Sequence, residues 1–189
     1  ERRELREGGI EISAVFGGDM DSALVDHVYE FYTSTVDKYF YGRRYLNRDF
    51  FHEVVKRMPN NVVAVLAHEK GVRRPIAGAF NLVSERALYG RYWGAREERP
   101  FLHFNVCYYA GIDLCIERGL AHFEPGAGGE HKHSRGFEST VTHSLHYLHD
   151  RRLRGAIQQF LEHERGSINE WIENEKPLFK PDAEPETVG

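Results

Sequence analysis

Three apolar runs follow one another in the middle of the chain with almost nothing between them: NVVAVLAHE (61–69), RPIAGAFNLVS (74–84) and ALYGRYWG (87–94). Each is rich in β-branched, aromatic or small residues, and the turn-like KGVR and ER separate them. Runs of this kind with such short connections fit neighbouring antiparallel strands, a three-stranded meander. A meander needs another layer to bury its apolar face, and the flanking stretches have helical spacing. In DMDSALVDHVYEFYTSTVDKYF (19–40), Met20, Leu24, Val28, Phe31, Tyr32 and Tyr39 fall near one helical stripe, with Asp19 as N-cap. NRDFFHEVVKRM (47–58) is a second, shorter helix that Pro59 ends. In FLHFNVCYYAGIDLCIERG (101–119), Phe104, Cys107, Tyr108, Ile112 and Cys115 face one way, Arg118 sits in the last turn and Gly119 follows it.

The rest fills in around this centre. IEISAVFGG (10–18) and AHFEPG (121–126) read as short strands, and the alternation of STVTHSLHYL (139–148) predicts a closing strand. Residues 150–176 read as two helical pieces broken at Gly166, the second opened by a Ser167/Glu170 capping box. The order is β-α-α-β-β-β-α-β-loop-β-α, an α+β layered fold with a mostly antiparallel central sheet. The expected division is a domain over 10–150, a helical extension over 151–176 and a loose tail over 177–189. Residues 1–9, ERRELREGG, read as a basic helix running into a Gly-Gly turn at the end of a preceding segment.

Composition narrows the function. With 189 residues, 41% of them hydrophobic, the chain can build a sizeable core. A net charge of −4 does not suggest a nucleic-acid coat protein. No apolar run approaches the roughly 20 residues of a membrane span. Cys107 and Cys115 would be separated by about 12 Å along a helix, beyond the ~7 Å that a disulfide allows between Cα atoms. Two reduced thiols in a cytoplasmic protein is the simplest reading.

The polar chemistry concentrates in EPGAGGEHKHSRGF (124–137), a loop by its Gly and Pro content. Glu130 or His131 has the chemistry of a general base, Lys132 and Arg135 that of anion-holding groups, and the amides of Gly128 and Gly129 allow close approach to an anion. The bland reading is a solvated loop whose glycines only make turns. In YGRYWG, strand alternation puts Arg91 on one face with Tyr89 and Trp93 but not with Tyr92. Arg91 then either pairs with a substrate phosphate or carboxylate or stacks on its aromatic neighbours. Tyr92 and His103 complete the candidates, His103 as acid or base or simply as a helix-entry residue. His143, His146 and His149 recur every third residue, which on a strand alternates faces, so no metal is expected.

LYGRYWG (88–94), FLHFNVCYYAGIDLCIERGL (101–120) and FEPGAGGEHKHSRGF (123–137), with KYFYGRRYLNRDFF (38–51), resemble a family of FemAB-like, peptidoglycan-biosynthesis-related N-acyltransferases of the GNAT type. The likeness covers roughly residues 10 to 150 and is to the C-terminal of two GNAT-like halves. It implies a GNAT fold, transfer of an acyl or aminoacyl group to an amine, and a preceding half as partner. It leaves the donor open between acyl-CoA and aminoacyl-tRNA. The alternative is a non-catalytic GNAT-like half that binds an anionic substrate or a partner domain. One departure is Asn105, where the resemblance implies an acidic residue. A second lies in WGAREERPFLHF (93–104): GNAT enzymes cradle the coenzyme A pyrophosphate on a Gly-rich turn at this junction, and here it holds one glycine, two glutamates and a proline.

Overall fold

The computed structural model describes residues 1–38, 40, 42–126 and 130–174. The chain forms two compact units, residues 1–127 and 128–189, a division that falls inside the segment 10–150. The first unit is built on a five-stranded sheet in the order β1-β2-β3-β4-β5. Its strands are β1 (Ile10–Phe16), β2 (Val62–Glu69), β3 (Ala77–Val83), β4 (Ala87–Ala95) and β5 (His122–Glu124). The first four are antiparallel, β2 to β4 forming the predicted meander, and β5 joins β4 in parallel. The helices are α1 (Arg2–Glu7), α2 (Ser22–Val36), α3 (Arg48–Arg57), α4 (Leu102–Phe104) and α5 (Ala110–Arg118).

Alternation along β2 sets the two core layers. Val62, Ala64 and Leu66 face α2 and α3, meeting Val25, Val28, Phe31, Tyr32 and Phe51. Val65 and Ala67 face the other way, meeting Leu5 of α1, Leu102 and Val106, while Val63 meets Leu114 and Cys115 of α5. A strand buried on both faces reads as a continuous apolar run, which is why VVAVLA shows no polar alternation. Leu5 shows that α1, whose helix-then-turn form the sequence predicts, belongs to this core.

Several local expectations are corrected. The N-cap of α2 is Asp21, whose Oδ1 accepts from the N–H of Leu24 at 2.8 Å, while Asp19 ends a 3-10 turn ahead of it. Tyr39 of the predicted stripe lies outside the described residues. Between α4 and α5 the helix widens into a π turn, Asn105–Tyr109. A wider turn shifts the apolar stripe around the axis, so Leu102, Asn105, Val106, Tyr108, Leu114 and Cys115 are buried, whereas Phe104, Cys107 and Ile112 are only half-buried. Gly119 does follow α5 in the left-handed conformation, φ 65°.

In the second unit, the predicted closing strand over 139–148 is not formed: those residues have no regular structure. Val141, Leu145 and Tyr147 alternate on one side but stay exposed, and an isolated strand has no ladder to satisfy its backbone. Residues 151–174 form one uninterrupted helix, α6 (Arg151–Asn174), not two pieces broken at Gly166. Ser167 turns its hydroxyl back to the carbonyl of His163 at 3.3 Å instead of capping a new helix.

Candidate active site on the open edge of β4

β4 carries most of the predicted site residues of the first unit. It pairs with β3 from Leu88 to Ala95, Arg91 excepted, but with β5 only through Ala87–His122, Leu88–Phe123 and Tyr89–Glu124. From Gly90 to Ala95, β4 continues past that pairing. A bulge falls at the same place: Asn81 of β3 stands opposite Gly90 and Phe80 opposite Tyr92, which leaves Arg91 as the extra residue. A bulge takes one residue out of the ladder and re-aims the chain, a device common beside active sites. Asn81, 4% exposed, supports it from behind with its amide within 3.3 Å of the carbonyls of Val63 and Ala79.

The bulge reverses the alternation that the sequence implies. Tyr92 turns to the α2/α3 side, with its ring centroid 5.0 Å from that of Tyr32 and 6.4 Å from that of Phe80. Trp93 turns to the opposite side, 4.7 Å from the ring of His103, which is itself 5.3 Å from the ring of Tyr108. Tyr89 opposite Leu82 and Tyr92 opposite Phe80 therefore share a face, and Trp93 does not. The expected Tyr89–Arg91–Trp93 face is thus corrected. Arg91 is exposed, and its guanidinium lies 5.8 Å from the ring of Tyr89, the arrangement of the aromatic-stacking alternative. The candidates Tyr92 and His103 lie on opposite faces of the sheet.

The junction from β4 into α4 is heavily ion-paired. Arg96 binds Glu30 and the carbonyl of Pro75, approaches His27 Nδ1 at 3.0 Å and lies over the ring of Phe31. Arg99 binds Glu69 at 2.5 Å and Glu97 at 2.8 Å, and Lys38 binds Glu98 at 2.9 Å. Burial would raise the Glu30 carboxyl, but the hydrogen bond and charge of Arg96 together with those of His27 outweigh it, and the group titrates below its usual range. Both arginines of the junction are therefore already held by carboxylates. Phe101, at the start of α4, has φ 62°, an uncommon backbone for a residue with a side chain. Asn105 is buried beneath it and donates its amide to the Phe101 carbonyl at 2.9 Å.

The other predicted residues lie in the second unit. His131, Lys132 and Arg135 belong to the 3-10 turn Glu130–Arg135, closed by Gly136 at φ 87°. His131 is exposed and Lys132 and Arg135 are half-buried. Arg135 Nη1 donates to the carbonyl of His131 at 2.8 Å, and the hydroxyl of Ser134 donates to it at 2.9 Å. Gly128, Gly129 and the side chain of Glu130 lie outside the described residues.

Among the described residues no three of His, Cys, Asp and Glu gather to hold a metal ion, and no helix is long and apolar enough to cross a membrane. Sequence reasoning missed Asn81, the bulge and the π turn. The signal within reach was Gly90, since a glycine inside a strand marks a bulge or a close approach. Gly90 stands next to the bulged Arg91, and a Cβ there would make only ordinary contact, 3.5 Å, with the backbone of Glu124 and Pro125.

A family model for FemAB-like proteins, described as peptidoglycan biosynthesis/recognition, matches residues 1–179. No curated protein matches. Among solved structures, the chain is similar to an aminoglycoside acetyltransferase from an uncultured soil metagenomic sample, in complex with sisomicin. That likeness has a TM-score of 0.53 and 12% identity and covers 75% of this chain and 98% of that one. A possible acetyltransferase from Clostridium difficile 630 matches with TM-score 0.53, 11% identity and 75% and 99% coverage. A probable acetyltransferase matches with TM-score 0.54, 13% identity and the same coverages. The fold is GNAT-like, as the order of elements predicts: a mixed, mostly antiparallel five-stranded sheet with flanking helices.

Proposed function

The chain belongs to the FemAB-like family, and from that premise we propose that it is an N-acyltransferase that moves an acyl or aminoacyl group onto the amine of a peptidoglycan precursor. The observation that carries this reading is the parting of β4 from β5 after Tyr89, at the bulge on Arg91, with His103 held against Trp93. A strand edge offers N–H groups at fixed spacing to an extended donor, and the bulged residue's N–H, out of the ladder, is placed to receive an oxyanion. The acceptor nitrogen attacks the donor carbonyl and the new N–C bond forms. The imidazole of His103 takes the ammonium proton and returns it to the leaving group as the old C–O or C–S bond breaks.

Within the second unit, taken by itself, Lys132 and Arg135 are the proposed anion-binding groups of the turn Glu130–Arg135, with Glu130 and His131 as its own candidates for a base. The ion pairs of the junction bear on the donor. Arg96 and Arg99 already serve Glu30, Glu69 and Glu97, so a pyrophosphate there would compete with three carboxylates. Aminoacyl-tRNA is accordingly the first donor to try and acyl-CoA the second. Both belong to the cytoplasm, where we place the chain.

The test incubates the chain with each donor and with a lysine-containing stem peptide, and reads acylated peptide by mass spectrometry. In parallel, melting is followed with acetyl-CoA and a longer acyl-CoA. A ligand at a hundred times its Kd adds about 2.7 kcal/mol, worth roughly 2–4 °C per kcal/mol at this size. Product with aminoacyl-tRNA and no shift with either acyl-CoA is the expected result. A shift of that order makes the donor an acyl-CoA, and no product from either donor with a folded chain overturns the acyltransferase reading.

A further inference from the structure

The turn between β2 and β3 sets three cations on the surface of the first unit: Lys70, Arg73 and Arg74 are all exposed. Among the described residues none of the three is paired with a carboxylate, whereas Arg44 holds Asp37, Arg48 holds Asp26 and Arg57 holds Glu53. The acids closest to the turn are already taken, since Arg99 binds both Glu69 and Glu97.

The turn is a fixed part of the fold. The N–H of Lys70 donates to the Gly9 carbonyl at 2.8 Å, that of Val72 to the Glu69 carbonyl at 2.9 Å and that of Ile76 to the Ala67 carbonyl at 2.8 Å, and Pro75 is buried. It also adjoins the candidate site. The N–H of Arg96 donates to the Ile76 carbonyl at 2.8 Å and its guanidinium binds the Pro75 carbonyl, which ties the turn to the junction between Trp93 and His103. With Ala95 opposite Ala77, the path from Trp93 to Arg74 is about 17 Å of strand.

The chemistry of the turn selects the ligand. Guanidinium and ammonium groups without a carboxylate suit phosphate. A lone phosphate or pyrophosphate is held by converging N–H groups, but the Lys70 and Val72 N–H groups are used within the fold. Side chains spread along an exposed turn instead match a chain of phosphates. We propose that Lys70, Arg73 and Arg74 bind the phosphate backbone of an RNA, a few nucleotides inward from the 3′ end that brings the acyl group to the edge of β4. This rests on the reading of the chain as an acyltransferase with an RNA-borne donor, and names the residues that hold that donor.

The test reads binding alone, apart from acyl transfer. Fluorescently labelled, uncharged tRNA is titrated with the full chain and followed by anisotropy between about 50 and 200 mM salt. Replacing Lys70, Arg73 and Arg74 together by Ala is expected to weaken binding by about tenfold or more and to flatten the slope of log K against log salt by about 2, as three contacts to a single strand require. Replacing Lys56, Arg57 and Arg86 by Ala removes the same charge at the opposite end of the strands and is expected to change binding by less than about threefold. All six positions are exposed, and melting with wild type shows that each variant is folded.

No binding of tRNA by the folded chain at low salt overturns the proposal. So does an equal loss in the two triple variants, or an equal affinity for duplex DNA of similar length, which marks a surface for any polyanion. Binding of coenzyme A that disappears with Lys70, Arg73 and Arg74 overturns it too, and gives the turn to the phosphates of a small donor. Binding of tRNA that depends on the turn, in a chain that transfers no acyl group, keeps the site and removes the acyltransferase reading.

Discussion

The side-chain amide of Asn105 and its backbone N–H both donate to one oxygen, the carbonyl of Phe101, at 2.9 and 3.0 Å. Phe101 holds a left-handed backbone, and Asn105, 4% exposed, is the buried group that ties down the chain behind it. A carboxylate at this position would have no proton to donate and would face a carbonyl oxygen in a dry site. Asn105→Asp is therefore expected to lose about 1–3 kcal/mol at pH 7, the cost of an unsatisfied buried polar group. Burial raises the pKa of such a carboxyl, so the loss shrinks as pH falls and the protonated acid recovers a donor. Melting relative to wild type at pH 7 and pH 4.5 checks this, and an equal loss at both pH values contradicts it.

Phe31 lies across a pair of cross-strand glycines. A Cβ on Gly94 would sit 1.9 Å from the Phe31 carbonyl oxygen and 2.4 Å from Ser34 Oγ, and one on Gly78 would sit 2.8 Å from the Phe31 ring. Backbone cannot give way as a ring can. Gly94→Ala is expected to cost more than about 3 kcal/mol and Gly78→Ala about 1–3 kcal/mol. Urea unfolding midpoints give the ranking, and a milder effect at Gly94 than at Gly78 would show that α2 moves more readily than the ring.

Asp26 joins α2 to α3 through a two-pronged contact with Arg48, both bonds 2.6 Å, and through His52 Nε2 at 2.8 Å. The Arg48 hydrogen bond, then that from His52, hold the carboxyl at about 2, below its ordinary 3.8. A depressed acid stabilises the fold above its unfolded pKa and loses that contribution as pH falls through the folded value. The contribution, on the order of 1 kcal/mol once solvent screening is allowed for, is thus full above about pH 4 and fades towards pH 2. Asp26→Asn should melt lower than wild type at pH 6 and close to it at pH 2. A gap that stays constant over this range would show that the pairing contributes nothing.

The meander was legible because its strands are buried on both faces and joined by turns that leave no other topology. The helices α2, α3 and α5 were legible because burial on one side imposes a 3.6-residue period. What failed is what a period cannot encode. Arg91 shifts the alternation of β4 by one residue, so Tyr92 and Trp93 exchange faces relative to a regular strand. The π turn at Asn105–Tyr109 does the same to a helix. The bulge sits at the open edge of β4 and the π turn packs behind the sheet on β2 and β3, so the candidate site lies where one of these patterns breaks. Residues 139–148 failed for a different reason: Val141, Leu145 and Tyr147 alternate on one side, but all three stay exposed.

The imidazole of His103, half-buried between the rings of Trp93 and Tyr108, gives the last prediction. If it moves the amine proton, His103→Ala should lower kcat by about 10²–10⁴-fold with little change in KM. His103→Phe keeps the ring packing without the nitrogen atoms and should be as inactive as the alanine variant while melting with wild type. Steady-state kinetics on the acylated stem peptide separate these cases. An active His103→Phe variant would reduce His103 to a packing residue and pass the base to Glu130 or His131, where Glu130→Gln should then show the kcat loss instead.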